Sequence, residues 1–236
     1  MRAVILAGGR GTRLAPYTYV LPKPMMPIGD KAILEILLRQ IKRAGINHVV
    51  LTVGHLAGLM RAFFQDGQQY DLDITYSHEA TPLGTAGPLA LVPDLDETFM
   101  VSNGDVLTLL DFNDFINFHH QQGGICSIAM HKHKVHIDLG VVEQNNGDYV
   151  ITGYIEKPTL DYRVSMGIYI FEPRVLDYIP KNEYLDFPDL VKILLANGER
   201  VIGYPFSGYW RDLGNPGDYT QACQDFEQMR SQFLPE

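Results

Sequence analysis

The chain has 236 residues, 46% of them hydrophobic and 20% charged, which is enough apolar material for one large or two small domains around a packed core. A formal net charge of -9 and a sequence pI near 5.3 exclude a general nucleic-acid or membrane-surface binder, because those partners select basic faces. Any phosphate chemistry must therefore rest on a few locally placed cations.

The apolar run over residues 2–7 predicts a buried parallel strand. It empties into a loop carrying Gly8, Gly9 and Gly11, which leave backbone N–H groups open to a ligand. Arg13 adds a planar, permanently charged fork, and Lys23 sits between Pro22 and Pro24, whose rings stiffen the backbone that carries its ammonium. Apolar residues at Ile33, Leu34, Leu37, Leu38 and Ile41 predict a helix over 31–44, stopped by Gly45. A strand over 48–53, a helix over 57–64 and strands over 72–76 and 98–101 follow. This alternation implies a parallel sheet with helices on both faces, and ligands of such sheets bind at the carboxyl ends of the strands. The glycine loop, the segment after Tyr76, and Asp105 then share one rim.

After a helix over 111–121 with Asp111 as its N-cap, the pattern changes. Short runs over 125–130, 139–143, 149–156 and 164–171 are rich in β-branched and aromatic residues and are separated by turns such as Asn145-Asn146-Gly147. They predict a mixed-sheet half that closes over the rim. Helices over 173–178 and 187–197, strands over 201–205 and 209–213, and a closing helix over 216–233 complete one compact unit with two lobes. The two cysteines, Cys126 and Cys223, have no metal-ligand companions, so free thiols and a cytoplasmic setting are expected. No leader precedes the first strand and no apolar run reaches membrane-span length, which predicts an unprocessed chain without a membrane partner.

Two familiar glycine motifs fail here. No Lys-Ser or Lys-Thr follows the loop's glycines as a P-loop requires, and Leu14 stands where a dinucleotide fingerprint needs its third glycine. What remains, G-G-x-G-T-R-L with a downstream P-K-P, resembles the opening of the sugar-1-phosphate nucleotidyltransferases. That resemblance runs over nearly the whole chain. It implies a Rossmann-like, mostly parallel α/β sheet with a smaller β-rich sugar lobe. Residues 1–122 would be mainly the nucleotide half and 123–236 mainly the sugar half of one domain.

The same resemblance implies a reaction between an NTP and a sugar 1-phosphate that releases pyrophosphate. Arg13 and Lys23 would stabilise the leaving group, Lys157 would anchor the sugar phosphate, and Asp105 and Asp212 would hold magnesium. Nucleotide contacts would come from Leu6, Ala7, Gly8, Gly9, Gly11, Thr12, Gly84, Thr85, Ala86 and Gly104, and sugar contacts from Gly140, Glu156, Lys157 and Ser165. The form P-L-G-T-A-G over 82–87 looks most like the guanylyltransferases that make GDP-mannose and GDP-manno-heptose, so GTP is the expected nucleotide.

Plainer readings stay open for several of these residues. Asp105 could be a turn aspartate, Asp212 a partner of Arg211, Glu156 and Lys157 a solvated surface pair, and Thr85 a helix cap. His131, His133 and His136 alternate on an extended segment but lack a matching ligand set, so surface or sugar-lobe histidines are expected. Thymidylyl-, uridylyl- or cytidylyl transfer, or a non-catalytic nucleotide-sugar-binding subunit, are the alternatives. An oligomer is not predicted.

Overall fold

The structure, a computed structural model, describes residues 1–145, 147 and 149–235. Its elements in chain order are β1 (Arg2–Leu6), β2 (Pro27–Ile28), β3 (Lys31–Ala32), α1 (Ile33–Arg43), β4 (His48–Val53), α2 (Ala57–Phe64), β5 (Asp73–His78), β6 (Phe99–Asn103), β7 (Val106–Thr108) and α3 (Phe112–Gln122). The second half adds β8 (Cys126–His136), β9 (Val141–Gln144), β10 (Ile151–Ile155), β11 (Thr159–Phe171), α4 (Phe187–Ala196), β12 (Val201–Phe206), β13 (Trp210–Asp212) and α5 (Pro216–Phe233).

Seven strands form the central sheet in the order β12-β8-β11-β6-β1-β4-β5. Only β11 runs against its neighbours, so the sheet is mixed and mostly parallel, as the alternation of elements predicted. The reason is visible in β1, whose Ala3, Val4 and Ile5 are fully buried between helical layers. On one side, the apolar stripe of α1 (Leu34, Leu37, Leu38, Ile41) packs on Ala3, Ile5 and Leu51. On the other, Leu190 and Leu194 of α4 join Val4, Val101 and Phe171. A third cluster, with Ile33, Ile36, Leu213, Phe226 and Phe233, docks α5 against α1. Gly45, at φ +80°, ends α1 where expected.

Several expectations need correction. The helix expected over 173–178 is present and is of the 3₁₀ kind, but Lys31–Ala32 pairs with Pro27–Ile28 instead of opening α1. The strands expected over 125–130 and 164–171 are the inner parts of much longer β8 and β11. Beyond His131 these two form a ribbon that leaves the sheet, and its residues are mostly half-buried or exposed. The ribbon's inner end is marked by an irregularity: Ser165 pairs with Met130 and Tyr169 with Ile128, so β11 carries two extra residues there. The Trp210 indole N–H donates to the freed Met166 carbonyl at 3.0 Å and ties this bulge to β13. β9 and β10 pair only with one another, and Asn146, within the expected Asn-Asn-Gly turn, lies outside the described residues. The expected strand over 209–213 exists as β13, yet it pairs with β7 and not with the central sheet.

Candidate active site

Above the carboxyl ends of β1, β4, β5 and β6 lies a cavity of about 720 Å³, of the size that takes a cofactor- or nucleotide-sized ligand. Its floor is the glycine loop. Gly11 sits at φ +61°, a left-handed conformation natural to glycine, and it starts a 3₁₀ turn over Thr12–Leu14. Leu14 is buried and Thr18 donates its hydroxyl to the Gly11 carbonyl at 2.8 Å, so the turn is fixed from below while Arg13 is left exposed above.

The pairing of β7 with β13 brings two distant acids together. Asp212 pairs with Val106, the residue after Asp105, and Leu213 N–H donates to the Asp105 carbonyl at 3.2 Å. Lys23, nine-tenths buried between its two prolines, places its ammonium against Asp105 Oδ2 and 3.7 Å from Asp212 Oδ1. Arg13 completes the group from the loop, since a Cβ added at Gly214 would lie 2.9 Å from Asp212 Oδ2 and 3.1 Å from Arg13 Nη1. Burial, and then the neighbouring Asp105 carboxylate, raise the Asp212 pKa, while Lys23 and Arg13 oppose that shift. The plain alternative for Asp212 falls away, because Arg211 pairs instead with Asp218 (3.0 Å) and Asp225 (3.5 Å).

The two carboxylates reach one ammonium, so a cation fits between them. Among the described residues no group of three or more His, Cys, Asp or Glu converges. Two protein oxygens, with the remaining positions left to water and phosphate, is the donor set that suits magnesium.

Leu6, Ala7, Gly8, Gly9, Gly11, Thr12, Arg13, Lys23, Gly84, Thr85 and Asp105 line the cavity. Ala86 and Gly104 do not: Ala86 is buried in the core, and Gly104 backs the loop by donating its N–H to the Leu6 carbonyl. Thr85 departs from expectation. Its hydroxyl donates to Asp186 Oδ1 at 3.1 Å and accepts the Phe187 N–H at 2.8 Å, so it caps α4 from a remote segment. What Thr85 offers a ligand is therefore shape rather than a free hydroxyl.

The expected sugar residues stand elsewhere. Gly140, Glu156, Lys157 and Ser165 are not lining residues of this cavity; they belong to the outer ribbon and its β9–β10 hairpin. Gly140 lies under the Tyr154 hydroxyl, which donates to Glu156 Oε2 at 3.1 Å. Lys157 is exposed with φ +44°, an unusual backbone for a lysine, and has no ion-pair partner among the described residues. The Ser165 hydroxyl is committed to Tyr169 OH (2.9 Å) and Gly167 N–H (3.2 Å). Of the three histidines, His131 contacts the Gly208 carbonyl and His136 contacts Thr159 and Asp138, with no metal cluster among the described residues.

Glu79, Asn103, Tyr184 and Asp186 also line the cavity and were not foreseen. Glu79 follows directly on the end of β5, so the rule about strand ends could have found it. Tyr184 and Asp186 carried no local signal, since they come from a loop of the second half of the chain. The cysteines are free, with Cys126 buried and Cys223 half-buried, and no described helix is long and apolar enough to cross a membrane.

The chain is 35% identical over 244 residues to UTP--glucose-1-phosphate uridylyltransferase of Synechocystis, covering 95% of this chain and 63% of that one. It is 36% identical over 230 residues to mannose-1-phosphate guanylyltransferase of Mycobacterium tuberculosis, covering 94% and 64%. The chain thus spans somewhat less than two thirds of the length of these relatives. Its fold matches the crystal structure of HddC from Yersinia pseudotuberculosis with a TM-score of 0.73, at 24% identity and covering 95% of this chain and 99% of that one. Residues 2–229 match the family described as Nucleotidyl transferase, and the chain belongs to it.

Proposed function

We propose that the chain catalyses nucleotidyl transfer from a nucleoside triphosphate to a sugar 1-phosphate, with release of pyrophosphate. The observation that carries this reading is the meeting of Arg13, Lys23 and Asp105, which line a glycine-floored cavity, with Asp212, which stands against Lys23 just behind that lining. Both substrates are polyanions, so the barrier lies largely in bringing like charges together and in neutralising the departing pyrophosphate. Arg13 and Lys23 supply fixed positive charge on the loop side. Asp105 and Asp212 would hold magnesium, which when bound would supply positive charge that neutralises the reacting phosphates. The sugar phosphate is already ionised at neutral pH, so no general base is required. Lys157, exposed on the ribbon and without an ion-pair partner among the described residues, would bind that phosphate, and Glu156 would take sugar hydroxyls.

GTP with a mannose-type sugar 1-phosphate is the preferred pair. The P-L-G-T-A-G segment and guanylyltransferase relatives support it. So does Glu79, a carboxylate in the cavity wall whose Oε2 accepts the Leu83 N–H at 3.0 Å. A carboxylate is an acceptor that complements the paired N–H donors on guanine's edge, whereas uracil and thymine offer a single N–H between two carbonyls. A uridylyltransferase of similar identity keeps UTP with glucose 1-phosphate as the second reading. Pyrophosphate release should be measured with GTP, UTP, dTTP and CTP against mannose, manno-heptose and glucose 1-phosphates. Turnover is expected with GTP, and its absence there overturns the guanylyl assignment; Glu79→Gln is expected to erode the preference.

A further inference from the structure

The loop before α4 holds an aromatic side chain in an unusual state. Tyr184 is 65% exposed, it lines the cavity, and its ring makes no aromatic or cation–π contact among the described residues. Yet it is pinned: its hydroxyl donates to Asp186 Oδ2 at 2.6 Å. Asp186 is itself anchored, because its other oxygen accepts the Thr85 N–H at 2.9 Å and the Thr85 hydroxyl at 3.1 Å. The backbone is laced to the same segment, with Leu185 N–H donating to the Leu83 carbonyl and the Leu185 carbonyl accepting from Ala86 and Gly87 N–H. Gly84, at φ +80°, permits this approach, since a Cβ there would lie 2.5 Å from the Leu185 carbonyl oxygen. An exposed ring held in one place by a buttressed tether is preorganised for a ligand face.

The charge distribution names the ligand. The cavity's Arg13 and Lys23 gather at Asp105 and Asp212, where a polyphosphate belongs. Tyr184 stands against Asp186 in a lining that Glu79 and Arg10 also share, and its two carboxylates repel phosphate and accept N–H donors. We infer that Tyr184 is a nucleobase-stacking residue of this cavity and that Asp186 is the positioning residue that holds its ring in place. A planar base has a face for the ring and donors for the carboxylates; a phosphate or a charged sugar tail has neither.

This inference rests on the nucleotide reading of the cavity, and one titration separates the two. Calorimetric binding of GTP, UTP and inorganic tripolyphosphate is measured for the wild type, Tyr184→Ala, Tyr184→Phe and Asp186→Asn. Tyr184→Ala is expected to bind the preferred nucleoside triphosphate about tenfold more weakly and tripolyphosphate within twofold of the wild type. Tyr184→Phe, which keeps the ring and loses the tether, and Asp186→Asn should fall between. Unchanged nucleotide affinity in Tyr184→Ala, or equal losses for nucleotide and tripolyphosphate, overturns the stacking role while leaving the nucleotide reading intact. Failure of the wild type to bind either nucleotide overturns both.

Discussion

Two lysines assigned to the same reaction sit in opposite surroundings. Lys23 is buried at the sheet rim and pressed against Asp105, in a cluster fixed by β7–β13 pairing and by the anchored 3₁₀ turn of the glycine loop. Lys157 stands exposed on the outer ribbon, with no ion-pair partner among the described residues, near a hairpin whose Val142, Ile151 and Tyr154 are also largely exposed. The difference is one of support. The rim side chains are held by two hydrophobic layers and a closed set of opposite charges, so their geometry exists before any ligand arrives. The ribbon's side chains rest on two-stranded pairing and a few exposed hydrogen bonds such as Tyr154–Glu156, a support that is marginal without a packed face. On the proposed reading, the nucleotide side is prepared in the fold, whereas sugar-phosphate binding depends on what the ribbon meets.

The comparison can be broken at its strongest point first. Asp105→Ala removes one of the two acids and leaves Lys23 facing Asp212 alone; pyrophosphate release is expected to fall on the order of 10²–10³-fold. Turnover at the wild-type rate would remove the rim from the mechanism. Lys157→Ala should raise KM for the sugar 1-phosphate by about 10–100-fold, the value of a lost charge-assisted hydrogen bond, while KM for the nucleotide stays within about twofold. A rise in both would show that rim and ribbon are not independent. Thr85→Val strips the remote cap from α4 and one donor from Asp186, and chemical denaturation should report a loss of about 1–2 kcal/mol.

The smallest effect concerns the layer behind the sheet. His119 is buried, with Ser127 Oγ at 2.7 Å from Nδ1 and Glu172 Oε1 at 3.0 Å from Nε2, and His120 beside it. Burial lowers its pKa below the ordinary 6.5 despite the Glu172 carboxylate. As pH falls through about 6.5 the unfolded chain takes up the proton first, so the stability tied to neutral His119 is lost toward the folded-state pKa. Thermal unfolding between pH 7 and 5 should therefore slope downward with acid, and His119→Gln should flatten that slope. An equal slope in the variant would assign it to other groups.

Much of the sheet was legible because its signals are local: an apolar strand, an amphipathic helix and a glycine stop at Gly45 each occupy a few consecutive residues. The glycine loop and Asp105 could be placed at strand ends for the same reason, whereas Arg13 and Lys23 were singled out by the motif they share with the resembled family. Sequence alone left Asp212 with two partners to choose from, because only the pairing of β13 with β7 aims it at Lys23 while Arg211 turns to Asp218 and Asp225. It left Thr85 as either a nucleotide contact or a helix cap, and the fold spends its hydroxyl on α4. Tyr184 could not be found at all, for its tether runs through Asp186 to a segment about 100 residues away. Local periodicity determines which strands and helices form. Which side chains converge is decided by long-range hydrogen bonds and packing between elements distant in the chain, and those terms exist only once the sheet has closed.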